Sequence, residues 1–110
     1  MLSWSTAKLR PATRAILEKI ANGKHDPQIR SVILFGSEAR GEATLTSDID
    51  IALVSDEPLT RAQRLAFAHA LDDGYPEVCV INTLTAHLDT EKFLDVDYHI
   101  KREGLLVYER

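Results

Sequence analysis

The apolar positions of this chain change period several times, and each change predicts an element. From Pro11 to Asn22, the residues Ala12, Ala15, Ile16, Leu17 and Ile20 recur at helical spacing. Pro11 suits a first turn, where a missing N–H loses no partner, and Gly23 suits the stop. A polar turn follows, Gly23 to Pro27. The segment Ile29 to Phe35 then ends in a short apolar run rich in β-branched residues, which predicts a buried strand halted at Gly36. A second strand is expected from Asp48 to Val54, with Ile49, Ile51, Ala52, Leu53 and Val54 apolar and Asp56-Glu57-Pro58 closing it.

Thr60 and Gln63 stand at capping-box spacing. The helix they open is expected to run to about Asp73, to stop at Gly74, and to send Leu65, Phe67 and Leu71 into the core. A third strand is expected from Glu77 to Asn82. Thr85 to about Arg102 reads as mostly helical, and Gly104 then releases a short strand, Leu105 to Tyr108. Helices and strands that alternate in this way predict an α/β (α+β) fold, a small mixed β-sheet with helices packed against it. With 110 residues, no repeat and no linker, the expectation is a single domain spanning residues 1–110.

Composition narrows the chemistry. The net charge of -4 and the pI near 5.5 argue against a non-specific nucleic-acid binder, which would show a basic face, yet leave room for a local basic site. Cys79 is the single cysteine, so an internal disulfide and a Cys-rich zinc site are both excluded. Lys8 and Arg10 lie in a start that has no apolar signal-peptide core, and no apolar run approaches the ~18 residues of a membrane helix. The expectation is therefore no membrane segment and a cytoplasmic location.

The chemistry-bearing stretch runs from Gly36-Ser37 to Asp48-Ile49-Asp50. In a strand, residues two apart share a face, so Asp48 and Asp50 point the same way while Ile49 points to the other. Two carboxylates held together repel unless a cation sits between them, and Mg²⁺ favours such oxygen donors. Gly36 lacks a Cβ, so a phosphate can approach the backbone, and the Ser37 hydroxyl can bond a phosphate oxygen. Arg40 could neutralise a triphosphate or pair with Glu42. Each piece alone has a bland reading: Gly36-Ser37 as a turn, Asp48 as a turn cap, Arg40 as a surface ion pair. Asp50 resists that reading, because an unpaired charge inside an apolar strand is costly.

The combination resembles the minimal nucleotidyltransferases (MNT) of the DNA polymerase β-like nucleotidyltransferase superfamily. Gly36-Ser37, ten intervening residues, then Asp48-Ile49-Asp50 match that family's pattern, as do Ala39-Arg40-Gly41 and Ser47-Asp48-Ile49-Asp50. The ending from Ile100 to Glu109 is also similar. The resemblance implies the nucleotidyltransferase fold. It implies that Gly36, Ser37, Arg40 and Ser47 contact a nucleotide, ATP by preference, and that Asp48 and Asp50 bind Mg²⁺ and act catalytically. The implied reaction moves a nucleoside monophosphate from a nucleoside triphosphate to an acceptor hydroxyl. The implied partner is a HEPN-domain protein, with this chain as the antitoxin of the pair and a partner tyrosine as one known kind of acceptor.

The family also has a third carboxylate on a later strand, and here the sequence departs from it. Cys79 aligns there, and a thiol is a poor Mg²⁺ ligand. Glu77 shares the expected face two residues earlier and is the candidate substitute, although it sits one pleat away. The alternative is an impaired nucleotidyltransferase-fold module that neutralises a partner by contact. Other patterns carry less. Arg64 and His69 copy a HEPN ribonuclease spacing without that fold. Asp95-Val96-Asp97 falls in an expected helix, where residues two apart diverge. His25, His87 and His99 show no ligand pairing, and Cys79 on its own is an ordinary small core residue.

Overall fold

A computed structural model describes residues 1–71, 77–89 and 96–110. Among these described residues, five strands form a mixed sheet in the order β1-β5-β2-β3-β4. They are β1 (Leu2–Ser3), β2 (Ser31–Phe35), β3 (Ile49–Ser55), β4 (Val78–Leu84) and β5 (Leu105–Glu109). β2 runs antiparallel to both β3 and β5, whereas β4 is parallel to β3 and β1 is parallel to β5. The helices are α1 (Pro11–Asn22), α2 (Gly36–Ala39), α3 (Arg61–Leu71) and α4 (Val96–Glu103). This is the α/β (α+β) arrangement expected, a small mixed sheet with helices against it.

Alternation along the strands builds two cores. Val32, Leu34, Ile49, Ile51 and Leu53 pack with Ile16, Leu17 and Ile20 of α1 and with Phe67 and Leu71 of α3. Ile33, Ala52 and Val54 face the other way and meet Ile100 of α4. Both faces of β2 and β3 are therefore covered, which is why these strands read as continuous apolar runs rather than alternating ones. Gly104 joins α4 to β5 where a Cβ would overlap the Ile100 carbonyl oxygen and the Ile33 side chain.

The expected helix Pro11–Asn22 forms with those bounds, and Pro11 occupies its first turn. Its buried side differs from the expectation: Ala12 and Ala15 are exposed, while Thr13 is fully buried. The capping box ahead of α3 also forms. Thr60 N donates to Gln63 Oε1 at 2.7 Å, and Gln63 N donates to Thr60 Oγ1 at 3.1 Å. Leu65 does not join the core and stands 41% exposed, because the face of α3 that meets the sheet carries Phe67 and Leu71. The expected helix stop at Gly74 lies outside the described residues, as does Asp95. Of the stretch expected to be mostly helical, Thr85–Asp89 forms a 3₁₀ helix and Val96–Glu103 forms α4, and residues 90–95 lie outside the described residues. β4 continues to Leu84 because the Asn82 amide ties it in, donating to Leu53 O at 2.9 Å and to Ser55 Oγ at 3.0 Å.

Candidate active site

Two chain segments meet at one end of the sheet. β2 ends at Phe35, and Gly36 turns the backbone with φ +77° into α2. The antiparallel register sets Phe35 opposite Asp50. As a result, a Cβ on Gly36 would overlap Asp50 Oδ2 and lie 3.0 Å from Asp50 Cγ. The glycine thus meets two demands at once: a left-handed φ and the close approach of a carboxylate. Ser37 follows, partly exposed, and its carbonyl accepts from Glu42 N at 2.8 Å.

Asp48 is exposed just ahead of β3, and Asp50 is half-buried within it. Asp50 lies on the face of Ala52 and Val54, the α4 side of the sheet. Burial pushes its carboxyl above the usual value, the Asp48 charge pushes further, and the Arg40 charge opposes both. Arg40 is itself engaged. It pairs with Glu42 at 3.1 Å and with Glu103 of α4 at 3.2 Å, and these hydrogen bonds raise its pKa.

Cys79 stands directly across from Asp50 in the parallel β3–β4 register. Its thiol donates to Asp48 Oδ2 at 3.7 Å. Burial raises the thiol pKa first, followed by the charges of Asp48 and Asp50, the Asp48 hydrogen bond and the more distant Glu77. Cys79 is therefore held as a neutral S–H against the acid pair. Glu77 is exposed, and its backbone carbonyl accepts from Ile49 N at 2.8 Å. Among the described residues, no three His, Cys, Asp or Glu side chains gather as a metal-ligating group. Asp48 and Asp50 still suit a divalent cation, since they are two mutually repelling oxygen donors on one face. The neutral thiol beside them does not extend that donor set.

Sequence reasoning missed the support beneath α2. Glu38 is 3% exposed. Its Oε1 accepts from the Thr13 hydroxyl and from Arg10 Nε, the latter at 2.9 Å. Arg10 also donates through Nη1 to Thr44 O at 2.7 Å and through Nη2 to Ser47 O at 3.0 Å. A polar Thr13 on the inner side of α1 was the single local signal, because 28 residues separate Arg10 from Glu38. Ser47, an expected nucleotide contact, helps shape the turn before Asp48: its Oγ accepts from Thr44 N at 2.8 Å.

A separate groove of about 490 Å³ opens between α1 and α3, lined in part by Lys19, His25, Gln63 and Phe67. It belongs to the sheet face opposite the acid pair. Arg64 is half-buried and His69 exposed on α3. Among the described residues, no helix is long and apolar enough to cross a membrane.

The fold has close counterparts. A chain from the crystal structure of a toxin–antitoxin complex with AMP-PNP superposes with a TM-score of 0.58 at 20% identity, over 90% of this chain and 72% of that one. A candidate nucleotidyltransferase from Sulfolobus solfataricus gives 0.53 at 26% identity, over 90% and 78%. A chain from the complex of a tri-AMPylated Shewanella oneidensis HEPN toxin with its MNT antitoxin gives 0.54 at 18% identity, over 88% and 72%. No curated protein matches the chain in sequence. The family model described as polymerase beta, nucleotidyltransferase matches residues 17–110. That match takes in β2, α2, the acid pair and β5, and the chain belongs to the polymerase β nucleotidyltransferase family.

Proposed function

We propose that this protein is a Mg²⁺-dependent nucleotidyltransferase that moves AMP from ATP to a hydroxyl on a HEPN-domain partner, acting as the antitoxin of the pair. The observation that carries this reading is the packing of Gly36 against Asp50, with Asp48 alongside. It sets a side-chain-free backbone next to two carboxylates on one face. The family in general uses a divalent metal. Mg²⁺, held by Asp48 and Asp50, would neutralise charge that develops on the triphosphate. Gly36 and Ser37 take the phosphates, Ser47 keeps Asp48 in place, and Arg40 supplies a nearby positive charge.

In the reaction, the acceptor oxygen attacks the α-phosphorus, the bond to the β-phosphate oxygen breaks, and pyrophosphate leaves. The hydroxyl proton must go to a base. The Cys79 thiol already holds its own proton, so the candidate acceptor is the Glu77 carboxylate. We assign the activity to the cytoplasm, where nucleoside triphosphates are held, and to one domain that spans residues 1–110. The partner assignment draws support from the like-folded chains of toxin–antitoxin complexes, one of which contains an AMPylated HEPN toxin.

A second reading is favoured by one observation: Cys79 occupies the position across from Asp50. In that reading the protein restrains its partner by contact alone. Incubation with α-phosphate-labelled ATP, Mg²⁺ and a purified HEPN-domain partner separates the two. Transfer predicts label on the partner that disappears with Asp48→Asn. Restraint of the partner that is equal for wild type and Asp48→Asn, without label, would establish the contact reading instead.

A further inference from the structure

We infer that Arg10 is a positioning residue for this site, a fork that locks the Gly36–Ser37 turn and the Asp48 turn into one rigid unit. The inference rests on the functional reading above and adds a residue that lies before the segment matched by the family model. One guanidinium serves three acceptors from two segments. Nε donates to Glu38 Oε1, one residue after Ser37, while Nη1 and Nη2 donate to the carbonyls of Thr44 and Ser47. Ser47 directly precedes Asp48. The planar guanidinium fixes the angles between these bonds, so it sets the distance between the glycine side and the acid side of the site.

The buried partner explains why this fork is costly to alter. Glu38 is nearly without solvent, and its charge is compensated by Arg10 and the Thr13 hydroxyl. Beside the Ser47 N bond to Thr44 O within the turn, Arg10 supplies the described side-chain tie from these two carbonyls to Glu38 of α2. Among the described residues, the exposed alternative for a cationic role, Arg40, bonds the carboxylates of Glu42 and Glu103 at the rim.

A structural role alone and a positioning role make different predictions for Arg10→Met/Glu38→Gln. This pair of changes removes both charges while it keeps a hydrogen-bonding group for Thr13, so the double variant should melt close to wild type. Arg10→Lys is the companion variant, since an ammonium can neutralise Glu38 but cannot span both carbonyls. For each variant, amide hydrogen exchange is read over residues 44–47, and Mg²⁺-ATP affinity is read by calorimetry. The expected result is faster exchange in that turn together with affinity about tenfold weaker or worse, in proteins that remain folded. Unchanged exchange would overturn the fork itself. Faster exchange with wild-type affinity would overturn its positioning role. Absence of ATP binding by wild type would defeat the functional reading, and the exchange measurement would still decide whether the fork exists.

Discussion

The two sides of the acid pair are built to different standards. On the glycine side, every element is over-determined. Gly36 is wedged against Asp50, Glu38 is buried beneath it, and Arg10 joins the helix to the turn before Asp48. On the cysteine side, a neutral thiol leans on Asp48, and Glu77 stands in solvent. Holding a nucleotide, the role proposed for the first side, requires fixed geometry. Activating an acceptor requires a base of suitable pKa within reach, and among the described residues the second side offers one exposed carboxylate, Glu77. Under the proposed transfer, the first side would hold the nucleotide and the second would be completed by the partner that brings the hydroxyl.

The strongest way to break the glycine side is Gly36→Ala. A non-glycine residue at this φ costs on the order of 1–3 kcal/mol, and its Cβ displaces Asp50. Transfer should fall about 100-fold, measured as initial rate, with a lower melting temperature in the same preparation. On stability rather than transfer, Glu38→Ala leaves Arg10 without its carboxylate and should cost about 2–4 kcal/mol in denaturant unfolding. Arg40→Ala, which removes two exposed pairs, should cost about 0.5 kcal/mol or less. Equal losses in these two variants would contradict the account of which arginine supports the site.

The cysteine side is sharpened by Cys79→Asp, which would put a carboxylate across from Asp50. Without divalent cation it should lower the melting temperature through like-charge repulsion. With Mg²⁺ it should recover and raise the transfer rate about tenfold or more. The smallest effect concerns pH. The Asp50 pKa is raised from 3.8 by burial and by Asp48. The folded state therefore binds this proton more readily than the unfolded chain. Its contribution to stability is full below pH 3.8 and is lost as pH rises through the raised value. Metal-free Asp50→Asn should thus melt slightly above wild type at neutral pH, with the gap closing in acid.

Much of this was legible in the sequence where the signal is local. Periodicity found α1 with its bounds, and Thr60 with Gln63 announced α3, because those interactions span a few residues. The Gly36-Ser37 and Asp48-Ile49-Asp50 pattern singled out both segments, but the packing of Gly36 against Asp50 emerges only from the β2–β3 register. What escaped depended on contacts distant in sequence. Thr13 is buried in place of Ala12 and Ala15 because Glu38 needs its hydroxyl, and Arg10 matters because residues 44–47 fold back onto it. Arg40 drew attention by its place in the motif, yet two glutamates occupy it.

Metal-dependent nucleotide binding at Asp48 is tested by calorimetric titration of ATP into wild type and Asp48→Asn, each with and without Mg²⁺. Wild type should bind only with Mg²⁺, and Asp48→Asn should not bind, with both proteins equally folded by circular dichroism. Binding that is indifferent to Mg²⁺ and to Asp48, or no binding of any of the four nucleoside triphosphates by folded wild type, would contradict it.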